Sequence, residues 1–137
     1  MPMKIWLDAD RHLRHAVASD KLTDRELLEA WGDALADPAY DPAADSLVDM
    51  SEVEQFEVTP HGAQRLADVM AMCAKAPAPG VRPRVAFVAP PDDRAVRILR
   101  MYETYRELQG APSRFFVCGS VEEARCWLAL PRVDGGR

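Results

Sequence analysis

The sequence predicts one small α/β domain: a mixed sheet of about five strands, an N-terminal antiparallel hairpin plus parallel βαβ strands, packed with about four helices. Three observations predict it. From residue 46 onward, strand-like and helix-periodic stretches alternate three times, the order that right-handed parallel crossovers produce. RVAFVAP at 84–90 is continuous, apolar and β-branched, as expected of a strand covered on both faces. A chain of 137 residues with no repeat and no dividing linker has the size of a single core.

Each element has a local cause. Residues 3–8 and 12–18 read as two strands around Ala9-Asp10-Arg11. Thr23 and Glu26 form a capping box, and Leu27, Leu28, Trp31, Ala34 and Leu35 follow at helical spacing until Pro38 stops the run. DPAYDPAAD is a turn-rich loop. A short apolar strand at 46–50 gives way to a polar, acidic loop through residue 59. Thr59-Pro60 opens a second helix whose apolar face carries Ala63, Leu66, Ala67, Met70, Cys73 and Ala74. After 84–90, Asp92 and Asp93 start a third helix with Ala95, Ile98, Tyr102, Tyr105 and Leu108 inward. SRFFVCG is the last strand. Ser120 with Glu123 is a second capping box before a helix whose inner face is Val121, Ala124, Trp127 and Leu128. The domain spans 1–137, with the tail frayed from about 131.

Composition narrows function. A formal charge of -5 argues against a nucleic-acid partner, which needs a basic surface. No apolar run is long enough to span a bilayer, and MPMKIWLDAD lacks the pattern of a signal peptide, so the expected location is the cytoplasm. Cys73, Cys118 and Cys126 suit neither a disulfide framework nor a zinc site. Cys73 reads as a small core residue, and Cys118, ending a strand before a helix start, reads first as an ordinary packed thiol and second as a reactive one. His12, His15 and His61 do not converge, so no metal and no cofactor is expected.

Asp49, Glu52, Glu54 and Glu57 crowd one acidic loop without the geometry that paired-acid catalysis requires, and no nucleophile or phosphate-loop motif occurs. The expected protein is therefore not an enzyme. Arg94, Arg97, Arg100 and Arg106 recur on the third helix, where solvated pairs are the ordinary reading and a docking surface for an acidic partner the sharper one.

The order of elements, with LVDMSEVEQFEVTPHG, RVAFVAP leading into APPDDRAVRILRMYE, and FFVCGSVEEARCWL, resembles the SpoIIAA-like, or STAS-type, domain over residues 3–130. The likeness is to its uncharacterised bacterial branch, grouped with the lipid-binding SEC14 type of fold. It implies a non-catalytic regulatory or protein-interaction domain, or alternatively a binding module for a small, partly apolar, lipid-like ligand. The family's D-S-S-G phosphorylation motif falls on Glu57, Val58, Thr59 and Pro60, where only the acid and one hydroxyl are kept. Thr59 is thus a candidate phospho-acceptor or, by the ordinary Thr-Pro pattern, a helix cap. In open parallel sheets ligands sit beyond the carboxyl ends of strands. The expected pocket rim is Thr59, His61, Pro91, Asp92 and Ser120. The N-terminal hairpin, as a sheet edge guarded by Lys4, Arg11 and Arg14, is also a candidate surface for a homodimer.

Overall fold

A computed structural model describes residues 3–132. The chain order is β1 (Met3–Asp8), a 3-10 turn (Ala9–Arg11), β2 (Leu13–Thr23), α1 (Asp24–Ala36), β3 (Asp45–Glu57), α2 (Pro60–Cys73), β4 (Arg84–Val88), α3 (Asp93–Leu108), β5 (Arg114–Cys118) and α4 (Val121–Ala129). The strands form one sheet in sequential order, β1 antiparallel to β2 and every later pair parallel. The expected mixed sheet of five strands with four helices is the architecture observed. Because the order never reverses, the sheet has no switch point of the kind that positions ligands in doubly wound folds.

Side chains alternate across the strands and so divide the molecule into two cores. On one face Ala16, Val48 and Phe87 pack under α1, α2 and α3, which contact each other in sequence. On the other, Leu47, Ala86, Val88 and Cys118 meet Ala124 of α4, with Phe116 and Trp127 alongside. Thr23 and Glu26 form both halves of the capping box. At α4 the second box is incomplete: Ser120 accepts from Glu123 N, but Glu123 reaches back to the N–H of Gly119.

The largest departure from the sequence reading is β3. The stretch 50–57, read as an acidic loop, continues the strand for 13 residues in all and stays paired with β2 to Glu57. Two register shifts, near Ser19 and Asp20, explain the misreading. Each bulge moves the inward position along by one, so Val53 and Phe56 are buried three apart rather than two. Asp49, Glu52, Glu54 and Glu57 are therefore strung along a strand, with Glu57 3.6 Å from Lys21.

Smaller corrections follow from burial. Cys73 and Leu108 sit at helix ends past the packed turns and are exposed. Arg94 and Arg106 turn inward from α3, and Arg94 donates to the carbonyls of Phe56 and Val58, which β4 is too short to reach. Arg14 guards no edge; it is buried. Of the tail expected to fray, Arg132 donates to Ala43 O and Asp45, and residues 133–137 lie outside the described residues.

Candidate functional site

The alternation of RHLRHAV carries Arg14 to the same face of β2 as Ala16, beneath the helices. There it joins a cavity enclosed by the sheet and α1–α3, with about 80 Å³ open to the centres of water-sized spheres, enough for several waters. Leu22, Val48, Phe56, Leu66, Ile98 and Leu99 are among its apolar walls. Its polar groups gather at one end. Arg14, Tyr40, Ser46 and Ser113 lie by the amino ends of the parallel strands, where Tyr40, Pro42 and Ser113 are partly exposed.

Arg14 is 6% exposed. Its Nη1 donates to Ser46 Oγ at 3.0 Å, its Nη2 donates to the Asp41 carbonyl, and its guanidinium stacks 4.2 Å from the centre of the Tyr40 ring. No carboxylate forms an ion pair with it among the described residues. The Asp41 carboxylate is committed elsewhere: Oδ1 accepts from Ala43 N and Oδ2 faces His12 Nδ1 at 3.5 Å. Burial lowers the Arg14 pKa, against the opposing influence of Tyr40 and Asp41, yet an arginine remains a cation at neutral pH. Deeper in, burial pushes the Tyr102 phenol up to about 12.

Two other polar clusters are closed. Behind the sheet, Arg84 pairs with Asp45 through Nε and Nη2 and donates to the Trp127, Leu128 and Leu130 carbonyls that end α4. Asp45 also accepts from Arg84 N and Arg132. At the start of α2, Thr59 Oγ1 accepts from Gly62 N at 3.0 Å and donates to Asp24 Oδ2 at 2.6 Å, while Thr59 N donates to Asp24 Oδ1. Thr59 is the N-cap, and its partner carboxylate comes from the first residue of α1.

The residues expected to rim one pocket do not assemble. Pro91 and Asp92 line two open hollows at the carboxyl ends of the strands, of about 320 and 890 Å³, and Glu123 and Gly119 reach the larger. Thr59 caps α2, His61 lies in its first turn and Ser120 caps α4; none of the three lines either hollow or the cavity. Asp92 caps α3 by accepting from Arg94 N. Cys118 is buried, its thiol pKa raised by that burial and its S–H directed at the Phe87 and Ser120 carbonyls, which suits packing rather than reaction. Among the described residues no three His, Cys, Asp or Glu side chains are placed to hold a metal, and no helix is long and apolar enough to cross a membrane.

Sequence reasoning missed Arg14 and Arg84. A signal existed for both: a charged residue in phase with Ala16 and Ala18, and another opening the most apolar strand.

Among solved structures, the chain is similar to an uncharacterized protein of the DUF3478 family with a SpoIIAA-like fold from Shewanella loihica PV-4. The two are 20% identical, with 93% of this chain and 92% of that chain covered and a TM-score of 0.49. No family model and no curated protein matches the sequence.

Proposed function

We propose that the protein is a non-catalytic regulatory module whose signal is a small, largely apolar ligand held between the sheet and α1–α3. The cavity carries this reading. Interiors ordinarily pack with few voids larger than a water, and a space for several waters with mostly apolar walls is a poor home for water and a good one for hydrocarbon. Its polar side chains are an arginine, two serines, two tyrosines and the Trp31 indole, with no carboxylate, histidine or thiol to act as base or nucleophile. A ligand that fills the space would favour the closed packing of the three helices, and that is how occupancy would reach a partner.

A phosphoswitch at Thr59 is the weaker reading. Its hydroxyl already spans Asp24 and Gly62, and a phosphate there would press two further charges against a carboxylate. Self-association through the β1 edge is a separate expectation that light scattering of the concentrated protein decides.

Hexan-1-ol tests the ligand reading. Methyl NMR should show saturable shifts at Val48, Ile98 and Leu99, and Ala63→Leu, which fills the cavity from α2, should abolish them while the fold persists. Absence of saturation, or shifts confined to surface methyls, would sink the proposal.

A further inference from the structure

A buried cation with no carboxylate in ion-pair contact is an expensive arrangement. Removing a guanidinium from water is costly unless an anion and hydrogen bonds replace the lost hydration. Arg84 has both replacements. Arg14, just as deeply buried, has a hydroxyl, one backbone carbonyl and an aromatic face. The asymmetry lies at the partly exposed end of an apolar cavity.

We propose that the ligand of this cavity is a small monocarboxylate with an apolar tail, its head held by Arg14 and Ser46 and its tail lying along Val48, Phe87 and Leu99. The inference rests on the cavity being a ligand site and adds the chemistry of the head group. Geometry selects the class. Tyr40 covers the face of the guanidinium, whereas its N–H donors lie in the plane, where a planar carboxylate accepts two at once. Of five donors, Ser46 and Asp41 take one each among the described residues. Ser46 Oγ accepts from Arg14, so its own O–H is left to donate to the same carboxylate. One arginine neutralises one charge, which fits a monoanion better than a doubly charged phosphate ester.

Matched ligands separate this proposal from the one beneath it. Hexanoate and hexan-1-ol share a tail and differ at the head, and both are titrated at pH 7 by methyl NMR and calorimetry. The wild-type protein should bind hexanoate roughly tenfold or more tighter, the scale of a charge-assisted hydrogen bond in a dry site. Arg14→Met should lose the preference for hexanoate over hexan-1-ol, and Arg14→Lys should keep part of it. If hexan-1-ol binds but hexanoate is no tighter, the head-group assignment is overturned and the cavity reading stands. If neither binds, both fall. Should Arg14→Met fail to fold, the wild-type ratio decides, together with the Arg14 Nε–H resonance. A preference under threefold, or an Nε–H that hexanoate does not shift, would overturn the proposal.

Discussion

Arg84 and Arg14 are both buried arginines at the amino end of the same sheet, one per face, and they live by different rules. Arg84 is enclosed by acceptors: a carboxylate in bidentate contact and three carbonyls at the end of α4. The helix C-terminus presents partial negative charge and orphan carbonyls, so the guanidinium caps it and pins α4 to β3 and β4 at once. Arg14 has fewer acceptors by comparison and faces a largely apolar cavity. A closed cluster spends its hydrogen bonds on the fold. An open one leaves them for something else.

Stability should therefore respond very differently to the same substitution. Arg84→Met leaves Asp45 short of its main partner and removes a donor from the Trp127, Leu128 and Leu130 carbonyls, and urea melts should show a loss of roughly 3–5 kcal/mol, as when one half of a buried ion pair is removed. Arg14→Met deletes a charge without orphaning another, so the same melts should show a change near zero or a gain of up to about 2 kcal/mol. Equal losses in the two variants would break the contrast and make Arg14 a second structural hub.

Thr59 belongs with the closed clusters, and here the neighbour matters as much as the cap. A Cβ at Gly62 would stand 1.9 Å from Asp24 Oδ1, so any larger residue here has to push that carboxylate off Thr59. Gly62→Ala should cost roughly 1–3 kcal/mol, the range for forced overpacking, and Asp24→Ala should recover part of it in a double-mutant cycle. Thr59→Ala should cost roughly 0.5–2 kcal/mol in thermal or urea unfolding, with Thr59→Ser close to neutral. Thr59→Asp, which an isolated cap would tolerate, sets a second carboxylate against Asp24 and should be at least as damaging as alanine. An aspartate variant as stable as wild type would show that Asp24 yields, and would reopen the switch.

How legible these clusters were depended on range. The caps at Thr23, Thr59 and Ser120 were readable because a cap is made within four residues of sequence. The hairpin, the four helices and the strand at Arg84–Val88 were readable from periodicity. The second half of β3 was not, because its bulges hide the inward residues from a period-of-two search. Long-range partners were harder still. Asp24 with Thr59 spans 35 residues, Arg84 with Asp45 spans 39, and Arg14 with Ser46 spans 32. Nothing local announces them except a charge standing where the pattern demands an apolar residue.

The smallest expected effect belongs to a third kind of site, neither closed nor lining the cavity. Trp6 and His15 face each other across β1 and β2 on the sheet face that carries α4, with rings stacked at 5.1 Å and 13°. Partial burial lowers the His15 pKa first, Arg125 and Arg11 lower it further, and Asp8 opposes them. The sign follows from which state binds the proton more readily. Well above about pH 6.5, the ordinary histidine value, His15 is neutral folded and unfolded and contributes no slope. As the pH falls below that value the unfolded chain takes up the proton first, so stability declines until the folded pKa is passed and then levels. Urea midpoints between pH 5 and 8, followed by tryptophan fluorescence, should show this decline in the wild type and a shallower one in His15→Gln. An undiminished slope in the variant would assign the pH dependence to other groups and leave the Trp6 stack indifferent to charge.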